Sequence, residues 1–481
     1  PFPYWKRGGA VLIGACLIGL CIFGIRGRTG YNPIKVSAAY FCQDAFLNQL
    51  GVSPTFNLLT SVMDDMRPEN KYLHLMDEQE AITKAQALLN RPGDANVSPL
   101  AVYRHAAKAD SVQQRRPNVV LIMMESMSAK FMKHFGQSET LTPFLDSLYT
   151  RSISFRNFYS AGIHTNHGLY ATLYSFPAMM KRNLMKGSVI PRYSGLPTVL
   201  KENGYYNLFF MTHEGQYDNM NAFFRTNGYD EVFSQEDYPA DKVVNSFGVQ
   251  DDFLYDYAIP VLNQRAATGQ PFFATLLSIS NHPPYVIPPF FHPKTSEPEM
   301  QIVEYADWAL RQFFEEARKQ PWFDNTIFVL EGDHGKLVGD AECELPESYN
   351  HIPLMIYSSR IQPEEKTAFG GQVDIQPTIL GLLNIDYLQN NFGVDLLKEE
   401  RPCMFYTADN MVVGRNDTLL YLYNYETQQE LTYDIGNGKL NAVPMDDSFL
   451  PLKEYSFSML QSAEFLVKHG KTLNSIPFTQ Q

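Results

Sequence analysis

From about residue 118 onward, short runs that are apolar at every position alternate with stretches of helical period. Val119-Val-Leu-Ile-Met-Met124, Asn207–Met211, Phe272–Leu277, Thr326–Leu330 and Ile352–Tyr357 are such runs. Continuous apolarity over a few residues predicts strands buried on both faces. Between them, Glu304–Arg318 places Ala306, Leu310, Phe313, Phe314 and Ala317 at helical spacing. This alternation predicts an α/β fold, with a mostly parallel central sheet and helices on both faces. Past about residue 400 the character changes. Thr418–Asn424 and Glu430–Asp434 read as antiparallel strands and Phe457–Lys468 as a terminal helix, which predicts a smaller C-terminal antiparallel β region. Upstream, residues 30–113 read as helices and loops: Gln79–Leu89 has helical period, and Asn90-Arg-Pro-Gly93 stops it.

The N-terminal pattern is different in kind. Gly8–Ile25 is a charge-free apolar stretch of roughly 18 residues, about the least that spans a bilayer. Lys6 and Arg7 precede it and Arg26 and Arg28 follow, so flanking charge does not set its orientation. A membrane helix is the first reading, with a signal anchor and a buried soluble helix as alternatives. The chain begins at Pro1 rather than Met, as expected of the last helix of a truncated membrane domain. The expected divisions are a transmembrane helix over 1–29, a helical linker over 30–113, a catalytic domain over 114–400 and a C-terminal β-rich subdomain with a terminal helix over 401–481.

Composition narrows the function classes. A hydrophobic content of 44% with 13% aromatic residues indicates a buried core. The formal net charge of −13 argues against a nucleic-acid partner, which calls for a basic face. It leaves anionic substrates open, because a bound divalent cation inverts the local potential. The five cysteines are too few and too scattered for a disulfide framework, and none has the spacing of a structural zinc site.

Chemistry gathers at the ends of the expected strands. Glu125-Ser126 follows the first, Thr212-His213 the second, Ser280-Asn281-His282 the third and Asp333-His334-Gly335 the fourth. In an open parallel sheet ligands bind beyond the carboxyl ends of the strands, so these residues converge on one edge. A single histidine after a strand is usually a hydrogen-bonded loop residue; four such segments together suit a metal-dependent active site. The glycine-bearing turn Ser160–Gly168 precedes a helical stretch, Leu169–Tyr174, and puts Thr165 near a helix N-terminus. Two readings of Thr165 stand: an N-cap, or a nucleophile whose hydroxyl is activated by direct coordination to a divalent metal.

The segments Asn118–Ser126, Leu141-Thr-Pro-Phe-Leu145, Ser278-Ile-Ser-Asn-His-Pro-Pro-Tyr285, Asp324–Gly335 and Asp374-Ile-Gln-Pro-Thr-Ile-Leu380 resemble, in order, the lipoteichoic acid synthase group. That group is a sulfatase-like branch of the alkaline phosphatase superfamily. The resemblance implies that Thr165, Glu125, Asp333 and His334 hold one divalent cation, with Thr165 as catalytic nucleophile. It implies substrate-contacting roles for His282, His213 and Asn219. Three oxygen ligands and one nitrogen suit Mn²⁺ best, then Mg²⁺, with Zn²⁺ left open. The implied reaction moves a phosphoglycerol group from a glycerophospholipid donor to an envelope glycan or glycolipid acceptor through a phospho-threonine. The implied setting is a bacterial cell membrane, with the catalytic domain outside the cytoplasm.

Two departures from the family pattern bear on substrate. The family's Trp-Asn-Arg element, whose Arg grips phosphate, is here Tyr217-Asp218-Asn219-Met220, with the Asn kept and no Arg. The Gly-Lys-Thr-Ser-like setting of the nucleophile is replaced by Ile163-His-Thr-Asn166, so His164 and His167 are either tuning neighbours or surface histidines. No Cys or Ser begins the Cys/Ser-x-Pro-x-Arg motif of formylglycine sulfatases; Ser175-Phe-Pro-Ala-Met179 comes nearest. Phosphoethanolamine transfer is the main alternative. A sulfatase-like phosphodiesterase or sulfuric ester hydrolase, and a non-catalytic binding protein, stand behind it.

Overall fold

The continuous apolar runs form Asn118–Met124, Tyr206–Met211, Phe272–Leu277 and Thr326–Gly332, strands buried along their length except at Tyr206. The computed structural model describes residues 4–29, 33–42, 45–67, 70–90, 102–106, 109, 116–187 and 189–474. The breaker at 91–93 and the boundary expected at 113–114 lie outside the described residues.

These four strands are contiguous in an eight-stranded sheet. From edge to edge it runs Glu231–Phe233, Tyr206–Met211, Phe272–Leu277, Asn118–Met124, Thr326–Gly332, Leu354–Tyr357, Ile153–Tyr159 and Glu364–Gly371. Every pairing is parallel except the two made by Leu354–Tyr357, which runs against both its neighbours. The segment after Thr326–Gly332 thus leaves the sheet at the carboxyl edge and re-enters beside it without a crossover helix.

Alternation along the central strands divides the core. Val119, Leu121, Met123, Phe209, Met211 and Val329 face one side, packed with helix Thr165–Tyr174 and helix Ile375–Leu382. Val120, Ile122, Phe210, Leu276, Phe328 and Leu330 face the other, packed with helices Asp251–Ala266 and Pro298–Ala317. Helices therefore cover both faces, and the helix read from Glu304 begins at Pro298.

The C-terminal region is a separate five-stranded antiparallel sheet, Met404–Thr407, Met411–Arg415, Leu419–Asn424, Gln429–Asp434 and Asn441–Ala442. The terminal helix begins at Leu450, earlier than the periodicity suggests, and ends at Lys468. It packs on helix Glu78–Leu89 of the segment read as a linker, burying Ala81, Ile82, Ala85 and Leu89. Strand Tyr103–Ala106 of the same segment pairs with Tyr387–Asn390.

The N-terminal helix spans Tyr4–Arg26. Within it, Gly8–Arg26 is long and apolar enough to cross a membrane, and none of it is buried. Just beyond, Arg28 Nη2 bonds Glu214 Oε1 at 2.6 Å, and Asn221 Nδ2 donates to the Tyr40 carbonyl at 3.0 Å.

Candidate active site

At the carboxyl edge of the sheet, strand Asn118–Met124 ends in a turn at Glu125-Ser126. Ser126 has φ +50°, a left-handed conformation that costs a non-glycine residue about 1 kcal/mol or more. The turn is held from several directions. The Ser126 N–H donates to Asp333 Oδ1 at 2.8 Å and its hydroxyl to Glu125 Oε1 at 2.7 Å. The Glu125 N–H donates to Ser278 Oγ at 2.9 Å, and Asn281 Nδ2 donates to the carbonyls of Glu125 and Ser126, both at 3.1 Å. Three strand ends are thereby stitched together around one carboxylate.

Glu125, Asp333 and His334 each offer a ligand atom within 4.8 Å of the others. His334 Nδ1 is bonded to the Gly335 carbonyl at 2.7 Å, so Nε2 faces Glu125 Oε1 at 3.8 Å and Asp333 Oδ2 at 3.7 Å. Thr165 Oγ1 donates to Glu125 Oε2 at 3.3 Å. The expected quartet is therefore assembled in one place. Burial, reinforced by the Asp333 charge, pushes Glu125 up to about 7. Burial opposes a charged His334, but the Asp333 and Glu125 carboxylates outweigh it and raise its pKa. Asp333 Oδ2 is buried without a hydrogen-bond partner. Two buried carboxylates, one with an orphaned oxygen, beside a hydroxyl and an imidazole nitrogen are a donor set that fits a hard divalent cation.

Thr165 is the first residue of helix Thr165–Tyr174, which starts earlier than the sequence suggests. The cap position belongs to His164, so Thr165 is not an N-cap. Gly168 brings this helix onto the Asp333-His334 loop: a Cβ there would lie 2.2 Å from the Asp333 carbonyl oxygen. Gln372 locks the contact, donating to that carbonyl at 2.7 Å and accepting from the Ala161 N–H at 2.9 Å.

A pocket of about 550 Å³ opens over these groups, lined among others by Glu125, Thr165, His164, Asp218, His282, His334 and Lys336. His282 bonds the Pro283 carbonyl through Nδ1 at 2.6 Å. Two expected substrate contacts are not among the lining residues. His213 is buried behind Tyr217, their ring centroids 4.6 Å apart. Asn219 has φ +62° and lines a different cavity, with Ile34, Lys35 and Phe56. The backbone turn at Asp218-Asn219 presents Tyr217 and Asp218 to the pocket in its place.

The two histidines beside Thr165 separate. His164 is half-exposed and bonds Asp409 of the C-terminal region at 2.6 Å. His167 is buried, and burial lowers it to about 3, so it is a neutral core residue and not a surface histidine. Ser175, nearest to a formylglycine motif, is the fully buried C-cap of the Thr165 helix. Sequence reasoning misses Gln372, Asp218 and Lys336. Only the proximity of Lys336 to Asp333-His334 in the chain could mark it.

The fold and site define an alkaline phosphatase-type α/β protein. The structure aligns with a protein of the alkaline phosphatase superfamily from Vibrio parahaemolyticus at a TM-score of 0.74 and 26% identity, covering 83% of this chain and 98% of that one. It aligns with a lipoteichoic acid synthase from Listeria monocytogenes at a TM-score of 0.65 and 19% identity, covering 81% and 98%. Residues 117–385, more than half of the chain, match the Sulfatase family model, and the chain belongs to that family. Lipoteichoic acid synthase 2 of Bacillus subtilis is 24% identical over 315 residues, 59% of this chain and 47% of that protein. The chain spans about half the length of the curated relatives it matches.

Proposed function

We propose that this chain is a membrane-anchored, metal-dependent transferase that moves a phosphoglycerol group from a glycerophospholipid to an extracytoplasmic glycan or glycolipid. The observation that carries the reading is the Thr165 hydroxyl, 3.3 Å from Glu125 Oε2, inside the Glu125–Asp333–His334 cluster. Glu125, Asp333, His334 and Thr165 would hold the cation, Mn²⁺ first. That cation would lower the hydroxyl pKa and offset charge on the transferring group.

Thr165 Oγ1 attacks the phosphorus of the donor. A threonine O–P bond forms, and the P–O bond to diacylglycerol breaks. The hydroxyl proton leaves on the side of Glu125 Oε2, to which it already donates. His282 faces the pocket with Nδ1 engaged by Pro283, so its Nε2 can protonate the departing diacylglycerol oxygen. In the second step an acceptor hydroxyl attacks the phosphorus and the threonine O–P bond breaks; the Thr165 oxygen takes back its proton from the Glu125 side, and the acceptor's proton goes to His282. His213 and Asn219 act on substrate only through the Tyr217-Asp218 turn that they support. The Gly8–Arg26 helix seats the chain in the membrane with its catalytic body outside the cytoplasm.

The test is a mass spectrum of the protein after incubation with phosphatidylglycerol and Mn²⁺. The peptide bearing Thr165 should gain glycerol phosphate while diacylglycerol accumulates. A phosphoethanolamine adduct from phosphatidylethanolamine alone would move the donor. Release of free glycerol phosphate with no adduct would make the chain a hydrolase.

A further inference from the structure

Among the described residues lining the pocket, Lys336 is the only lysine or arginine. Its ammonium donates to Asn281 Oδ1 at 2.7 Å and to Tyr285 Oη at 3.1 Å. It also lies 4.7 Å from the Tyr285 ring centroid and 5.4 Å from that of Phe131. Both hydrogen-bond acceptors are neutral, so its positive charge is held in place without being cancelled by them. Asn281 is itself bonded to the carbonyls of Glu125 and Ser126, and Lys336 stands two residues beyond His334. The ammonium is therefore registered to both segments that carry the candidate ligands.

The charges of the pocket give this placement a purpose. Glu125 and Asp333 together offset one divalent cation. Asp218 is matched by Lys186 at 2.7 Å. A phosphodiester entering the site brings one further negative charge, and Glu299 on the pocket wall adds another. With the cation neutralised by its own ligands and His282 engaged with the leaving-group oxygen, Lys336 is the group left to meet a non-bridging oxygen of the substrate anion. We propose that Lys336 is the substrate's anion-binding residue, its third N–H donating to a non-bridging oxygen of the phosphodiester. This rests on the reading of a phosphodiester substrate given above. A phosphodiester is anionic before it reacts as well as during reaction, so the contact acts mainly on substrate binding, and its loss raises KM more than it lowers kcat.

The experiment uses the full chain with Lys336→Gln, which keeps donor groups without the charge, and Lys336→Arg, which keeps the charge. Three quantities are read: KM and kcat on phosphatidylglycerol in mixed micelles, competition by inorganic phosphate, and Mn²⁺ affinity by calorimetry. Lys336→Gln should raise both KM and the phosphate inhibition constant about tenfold or more, as expected for a hydrogen bond to a charged group. Its kcat should change less than about threefold and its Mn²⁺ affinity less than about twofold. Lys336→Arg should recover most of the loss. Unchanged phosphate competition in Lys336→Gln overturns the proposal. So does a fall in Mn²⁺ affinity matching the loss of phosphate binding, which would make Lys336 a support for the ligand turn. If phosphatidylglycerol is no substrate, calorimetry of inorganic phosphate binding to the Mn²⁺-loaded protein still tests Lys336 separately from the donor: an unchanged phosphate Kd in Lys336→Gln overturns the contact, and a rise of about tenfold supports it.

Discussion

At Thr165 a hydroxyl stands at the head of a helix without capping it, because the cap position belongs to His164. Thr165→Ala therefore loses no cap bond, and its melting temperature should stay close to that of the wild type. Turnover should fall by more than about a thousandfold if the hydroxyl is the nucleophile. Thr165→Ser should keep measurable activity; full activity in the alanine variant would assign the attack to water. Glu125 makes a pH-dependent prediction. In the cation-free site its pKa is pushed up from 4.5 to about 7, by burial first and the Asp333 charge second. The folded chain then holds this proton more tightly than the unfolded one. The stability it contributes is complete below about pH 4.5 and is lost as pH rises through about 7. Asp251 and Asp307, raised by burial to about 6 and about 7, act in the same direction. The informative quantity is thus the difference between wild type and Glu125→Gln in melting curves from about pH 5 to pH 8. The wild type without metal should lose more stability across that range, and Mn²⁺ should restore it most strongly above about pH 7. Parallel curves with and without Mn²⁺ would separate Glu125 from metal binding.

The helix Thr165–Tyr174 and the loop after strand Thr326–Gly332 meet where a side chain cannot fit. A Cβ at Gly168 would sit 2.2 Å from the Asp333 carbonyl, which Gln372 holds in place. Gly168→Ala should cost about 1–3 kcal/mol and weaken Mn²⁺ binding together, read by thermal unfolding and calorimetry. A variant that melts and binds metal like the wild type would mean that the two elements are not rigidly apposed. Burial decides which elements can be read from the chain. The four central strands are covered on both faces, so their apolar runs are unbroken and their ends, with Glu125, His213, His282 and Asp333, are legible. Strands Ile153–Tyr159 and Glu364–Gly371 lie toward one edge and mix exposed with buried positions, with Arg156, Glu364, Glu365 and Thr367 outward. Their pattern hides the strand. The direction of Leu354–Tyr357 depends on where the preceding loop returns, which no local pattern records. Gln372 and Asp218 enter the site through tertiary contacts made far along the chain. Asn219 departs from its expected place because a left-handed turn at two successive residues changes which neighbour faces the pocket.

Across the whole molecule, the C-terminal sheet is bound to the larger one through charge as well as packing. Arg401, the first residue beyond the boundary read from sequence, pairs with Asp374 at 2.5 Å, with side chains 1% and 0% exposed. It also donates to the Phe392 carbonyl at 2.6 Å. Arg401→Met would leave Asp374 buried without its partner, at an expected cost of about 3–5 kcal/mol in urea unfolding. An unchanged midpoint would mean that the two regions fold independently. His164–Asp409 ties the same region to the pocket wall. At the opposite end, Arg28 fastens the exit of the apolar helix to Glu214, next to His213. For a chain seated in a bilayer by Gly8–Arg26, that fastening sets the height of the pocket above the lipid plane. On the proposed reading of a lipid donor, encounter with it becomes a search in two dimensions. Turnover follows the mole fraction of donor in the surface and not its amount per volume of solution, so inert lipid slows such an enzyme while added buffer does not.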